Sequence, residues 1–351
     1  MPRFVVGTVD ELTSERRGLQ RVVVDGRPAY VLTDVIGAVG VGDRVVVNTT
    51  AVDLGLGTGG FDVVHWNLAT GALDLPGPGH IMKARYTSVQ IDAGTWDTDD
   101  GVATDDHTDV AALVGGAVVV GAQLHSHVGA LAIGLAAGGA NVGFVMTDVA
   151  ALPLALSDLV AALSDAGVLV ATSTTGQAFG GTHEAVTVPS GVAAMVHAGA
   201  DVVIVGPGPG HVGTADPLAF SGLALAAELD LLSRLGADVA LATRWSSADP
   251  RDRHRGLSHH SRQLLSVCAA PWAVPVADAS QAATADAEDG AAAAVVMSPP
   301  ATALRAACDA VGVDVDTMGR RLLDDDAMVA VLDAVVGWGL DAVDRRRSTA
   351  E

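Results

Sequence analysis

Residues 111–147, AALVGGAVVVGAQLHSHVGALAIGLAAGGANVGFVMT, decide the fold. The stretch contains no Asp, Glu, Lys or Arg, so a membrane span and a buried strand–helix–strand compete for it. Gln123, His125, His127, Asn141 and the recurring glycines favour the buried unit. Its strands, 117–124 and 141–147, are continuously apolar, as strands covered on both faces must be.

The same rhythm continues downstream. Strand-like runs at 168–172, 201–206, 238–243 and 272–276 alternate with segments of helical length at 153–166, 184–198 and 217–235. With 129–137 as the first helix, this predicts a doubly wound, mostly parallel α/β domain. Residues 282–294 are alanine-rich and acidic and read as a loose connection or weak helix, and 302–343 have helical spacing. Upstream, β-branched runs at 3–7, 19–24, 29–33, 44–48, 63–68 and 81–91 predict a small β-barrel or sandwich, with Asp25-Gly26 as a hairpin turn. The acidic stretch 97–109 reads as an exposed loop. The expected division is a β domain over 1–109, a Rossmann-like α/β domain over 110–281, and a helical extension over 282–351.

Composition narrows the function. The 351 residues carry a formal charge of −21, which argues against nucleic acid and anionic membrane surfaces as partners. Two cysteines, Cys268 and Cys308, form no disulfide framework and are expected as buried fillers. The start, MPRFVVGTVDELTSERR, lacks the apolar run of a signal peptide, and a cytoplasmic location is expected. The sequence leaves a homo-oligomer open.

Against that acidity, positive charge is gathered in one place. The 148 residues between Arg85 and Arg234 hold no Arg or Lys; then Arg244, Arg251, Arg253, Arg255 and Arg262 follow closely. Residues 248–261, ADPRDRHRGLSHHS, combine three of them with His254, His259 and His260. Guanidinium forks match carboxylate and phosphate geometry, so Arg251, Arg253 and Arg255 are candidate ligands for a small anion. A solvated loop pairing with nearby carboxylates is the plain alternative. His259, His260 and Asp249 form a donor set for a divalent metal such as zinc, manganese or iron, although H-x4-H-H is not a strong metal pattern.

Ligands of open α/β sheets bind beyond the carboxyl ends of the strands, so the residues following each strand matter most. They include His125 and Ser126, Asp148, Gly180 and Gly181, and the run Gly206, Gly208, Gly210 and His211. His125, Asp148, His254 and His259 are the candidate acid, base or orienting groups. Ser126 and the glycines are candidate hydrogen-bonding and backbone ligands for an anion. Ser126 lacks the G-x-S-x-G elbow of a serine nucleophile. GPGHVG at 208–213 matches a dinucleotide fingerprint, but Pro207 and Pro209 lack amide donors and helical spacing resumes late.

The stretches VNTTAVDLGLGTGG, GHIMKARYTSVQ, VMTDVAALPLALSDL, GPGPGHVGT and ADPRDRHRGLSHHS together resemble the uncharacterised bacterial family catalogued as domain of unknown function 3866, from about Gly42 to Ser261. The resemblance implies one continuous protein with two domains and carries no activity. Two function classes fit the residues. One is an enzyme, a hydrolase or group transferase, acting on a small anionic, phosphorylated substrate. The other is a non-catalytic protein that binds or senses a nucleotide or metabolite at the same residues.

Overall fold

The computed structural model describes residues 2–56, 58–77, 81–97, 109–214 and 216–350, and the chain divides into two units, Met1–Gly94 and Thr95–Glu351. In the first, β1 (Phe4–Arg16), β2 (Leu19–Val24), β3 (Arg27–Val31), β4 (Arg44–Asn48) and β5 (Asp62–Asn67) close into a barrel of order β1-β2-β3-β5-β4. Only β3 and β5 pair in parallel, which gives the Greek-key order of the OB-fold. Alternation turns Val9, Val22, Val24, Val45, Val47 and Val64 into the barrel core. Asp25 and Gly26 have φ of 46° and 77°, the two left-handed residues of a tight hairpin.

Two expectations for this unit change. β1 runs for thirteen residues and not five, with register shifts after Val9 and Leu12 that let so long a strand bend around the barrel. Residues 81–91 are not one strand. Ala84 and Tyr86 adopt positive φ and break the run, leaving Met82–Lys83 paired with Ile91–Asp92. Residues 98–108 of the acidic loop lie outside the described residues.

The second unit is built on eight parallel strands: β6 (Val118–Ala122), β7 (Val142–Thr147), β8 (Leu169–Thr174), β9 (His183–Glu184), β10 (Val202–Pro207), β11 (Asp238–Ala242), β12 (Ala273–Val276) and β13 (Ala293–Val296). Their order is β9-β8-β7-β10-β6-β11-β12-β13. The strands β6, β7 and β10 are buried along their whole length, as sequences apolar on both faces require. The connecting helices are α1 (His125–Ala137), α2 (Asp158–Asp165), α3 (Val188–His197), α4 (Ala224–Arg234), α5 (His259–Val267) and α6 (Ala279–Ala285). At the C-terminus, α7 (Leu304–Val311) and α8 (Asp326–Ala350) pack against α1. The segment expected as a loose connection or weak helix ends α6 at Ala285 and continues as an irregular connection, and only its last two residues enter β13, which extends the sheet beside β12.

Chain direction locates the binding edge. From β6 the chain moves one way, through α1 to β7 and α2 to β8; it then reverses through α3 to β10, and α4 carries it past β6 to β11. Right-handed crossovers place helices of opposite moves on opposite faces of the sheet. The neighbours β6 and β10 therefore send their chains apart, and a crevice opens at their carboxyl ends. Among the described residues no helix is long and apolar enough to cross a membrane.

Candidate functional site

A cavity of about 700 Å³ occupies that crevice. Its walls are the start of α1 (His125, Ser126), the start of α2 (Asp158), the loop after β10 (Gly210, His211) and a turn carrying Asp316 and Met318. Gly210 has φ of +88°, so the loop can turn there without the strain a side chain would bring.

His125 spans this cavity wall. Its Nδ1 lies 2.9 Å from the Pro207 carbonyl oxygen and its Nε2 lies 2.7 Å from Ser157 Oγ. A carbonyl only accepts, so Nδ1 carries the proton. Burial lowers the pKa of this imidazole, keeping it neutral, so Nε2 is bare and the Ser157 hydroxyl donates to it. Ser157 Oγ also accepts the Val160 N–H as the N-cap of α2.

The arginine-rich stretch follows β11, the strand beside β6, and its residues are not among those lining the cavity. Asp249 is fully buried, and its carboxylate meets Arg244 Nη2 at 2.6 Å and Arg251 at 3.0 and 2.9 Å, with Arg320 Nη2 at 3.6 Å. The side-chain bond from Arg251, strongest among these contacts, holds the Asp249 pKa well below the usual carboxylate range. Arg244 itself is buried, and both its Nε and the nearby Gln123 Nε2 lack a partner among the described residues. Gln123 uses its oxygen instead, accepting from Ser261 Oγ at 2.6 Å and from the Arg244 N–H at 3.2 Å. Asp325, at the head of α8, accepts from Ser246 Oγ and the Ser247 N–H and so fixes the turn that presents Asp249.

Three imidazoles crowd against this group. His259 lies 4.0 Å from His260 and 4.7 Å from His254, centre to centre, while Phe220 stacks on His260 at 4.2 Å. Burial, followed by the neighbouring guanidinium and imidazole groups, depresses all three, with His254 at about 3 and His260 at about 4. They are neutral at pH 7. His254 Nδ1 is engaged by Ser258 Oγ, and His259 Nδ1 donates to the Arg253 carbonyl. His260 has no hydrogen-bond partner for its ring among the described residues. His211 lines the cavity and is close enough to His260 and His125 to lower their pKa values.

The family model described as Protein of unknown function (DUF3866) matches residues 28–336. The chain belongs to that family. No curated protein and no solved structure matches it.

Several expected site residues of this family member turn out to serve its packing. Asp148 is exposed, accepts the Gln177 N–H, and is not among the cavity-lining residues, so it does not orient His125. The Gly180 and Gly181 amides donate to Glu184 and Thr174, which leaves no anion cradle there. A side chain at Gly206 would strike Ala122, and one at Gly208 would strike Ala151, so both are glycine for close packing. Arg255 Nε donates to the Asp249 carbonyl, and Arg253 is exposed with no ion pair among the described residues. The metal set His259, His260 and Asp249 does not assemble, because the carboxylate is turned to the arginines. Among the described residues no group of three or more His, Cys, Asp or Glu is arranged to hold a metal. The dinucleotide fingerprint fails too, since α4 begins at Ala224, well past Gly213.

Sequence reasoning missed Ser157, Gln123 and Arg320. Arg320 lies outside the stretches singled out, Gln123 sits inside a strand-like run, and Ser157 falls within the stretch VMTDVAALPLALSDL and the predicted helical segment 153–166. Placing the helical segment at 153–166 hid Ser157 as the cap of a helix that begins at Asp158.

Proposed function

We propose that the second unit is an enzyme, a hydrolase or group transferase, for a small anionic, phosphorylated substrate bound at the carboxyl edge of its sheet. The observation that supports it most is the charge imbalance at Asp249, where one buried carboxylate faces Arg244, Arg251 and Arg320. The excess positive charge, in a protein of net charge −21, sits beside buried donors on Gln123 and Arg244 that lack partners among the described residues. Buried donors of this kind call for a bound acceptor. The substrate's anionic group would lie at these guanidinium groups and its reacting end in the cavity beside His125. His260, neutral and with its ring unengaged, would be a proton acceptor at the anionic end. A cytoplasmic setting, without nucleic-acid or membrane partners, belongs to the same reading.

Thermal unfolding with inorganic phosphate and a panel of phosphorylated metabolites tests it. Saturable stabilisation is expected, about 2.7 kcal/mol at a hundredfold excess over Kd, absent with chloride at equal ionic strength and lost in Arg251→Ala/Arg320→Ala. Equal stabilisation of that variant would overturn the reading. The engagement of His254 and His259 by protein groups favours the second class, a metabolite sensor. Recovery of the stabilising ligand unchanged after long incubation would decide for it.

A further inference from the structure

The arrangement of His125 assigns more than a place in the cavity wall. Its Nδ1–H is committed to the Pro207 carbonyl at 2.9 Å, and that bond fixes both the tautomer and the ring plane. The remaining nitrogen receives a short hydrogen bond, 2.7 Å, from the hydroxyl of Ser157. The pairing joins residues 32 apart in the chain, brought together because α1 and α2 start at the same edge of the sheet. His125 lines the cavity, and Ser157, itself buried, lies directly behind the lining residues Asp158 and Leu159.

We propose that Ser157 is a nucleophile activated by His125, with the Pro207 carbonyl holding the imidazole as a buried acid does in a catalytic triad, and that the substrate is an anionic ester or thioester. The logic is that of any serine–base–orienter arrangement. A carbonyl oxygen, unlike a carboxylate, orients the ring without adding charge, so it stabilises the imidazolium less. A helix cap alone accounts for the Val160 N–H bond to Ser157. It does not require a histidine whose far nitrogen is pinned so that its near nitrogen must accept from that hydroxyl.

The chemistry balances with water as the only co-reactant. Ser157 Oγ bonds to the substrate carbonyl carbon while its proton passes to His125 Nε2, and the carbonyl π electrons move onto oxygen. The tetrahedral adduct collapses, the ester C–O or thioester C–S bond breaks, and the leaving group takes the proton from Nε2. Water then adds to the acyl-serine with His125 again accepting a proton, which returns to Ser157 as the acid departs. Net, an ester and water give an acid and an alcohol or thiol. Ser126, the serine nearest His125 in sequence, takes no part.

This deepens the enzyme reading above and rests on it for the anionic end of the substrate, but its test does not need the anion site. The full-length protein is treated with an alkyl fluorophosphonate, and the adduct is located by peptide mass spectrometry. Stoichiometric modification of Ser157 is expected in the wild type. In His125→Gln the rate should fall by roughly 10²–10⁴-fold. Ser157→Asn keeps a good helix cap, so its melting temperature should stay near that of the wild type while labelling vanishes. No adduct on the wild type, an adduct elsewhere, or an unchanged rate in His125→Gln would each overturn the assignment. Labelling of Ser157 together with no phosphate response would uphold this dyad and sink the anion site alone.

Discussion

The loop after β8 and the stretch after β11 look alike in sequence: both follow an apolar strand, and both gather polar residues. In the first, the carboxylate and the glycine amides are answered locally. Glu184 takes the Gly180 N–H and the Thr174 hydroxyl at 2.7 Å each, and Thr174 Oγ takes the Gly181 N–H. In the second, three guanidinium groups share one carboxylate, three imidazoles stand neutral beside them, and two donors are left over. The barrel repeats the lesson, for there Arg3 and Arg27 meet Asp53 and Asp62, two charges against two. A polar cluster at a strand end becomes a candidate site when its own residues cannot balance it.

The contrast can be broken most forcefully at Asp249. Asp249→Ala leaves Arg244 buried against other cations and should cost about 3–5 kcal/mol in urea unfolding, partly recovered by added phosphate. A loss below 1 kcal/mol would mean the guanidinium groups are already balanced by something else. In the satisfied loop, Glu184→Ala should cost about 1–3 kcal/mol by stranding its donors, and leave the phosphate response unchanged. If phosphate binding weakened as well, the two loops would be one site.

Acidity sharpens the comparison further. Above pH 6.5 the cluster imidazoles are neutral both folded and unfolded, and their contribution to stability is complete. Below that value the unfolded chain takes up protons first, so stability falls with pH down to about 4 for His260 and about 3 for His254. His260→Gln should flatten the stability profile between pH 6.5 and 4, measured against the wild type so that carboxylate titration cancels. An identical slope would show that His260 is protonated in the fold. The smallest effect is expected from exposed Arg253, where Arg253→Ala should change stability by no more than about 0.5 kcal/mol and phosphate affinity by no more than about fivefold.

Much of the architecture could be read from the chain. The strands β6, β7, β10 and β11 and the barrel strands β2 and β4 fall within two residues of where periodicity and β-branched composition place them, because a run apolar on both faces has few other ways to be buried. β1 was underestimated because a bulged strand loses the alternation by which strands are recognised. The edge strand β13 was missed because alanine is a weak strand former that a sheet edge tolerates. At the site, the arginine–histidine stretch and the His125–Ser126 strand end were legible from composition and position. The glycines were not, since a glycine at a strand end reads the same whether it lines a cavity, as Gly210 does, or meets a neighbouring backbone, as Gly208 does.

By itself the sequence determined the layers: where apolar runs demand a covered sheet, where alternating valines demand a barrel, and where scarce positive charge collects. Only the tertiary structure decided the partners. Ser157 for His125, Arg320 for Asp249 and Gln123 for Ser261 are pairings across long chain separations, set by strand order and helix packing. Periodicity is a local property that each segment carries with it. Whether a buried charge or hydroxyl is satisfied depends on which distant segment the sheet brings beside it.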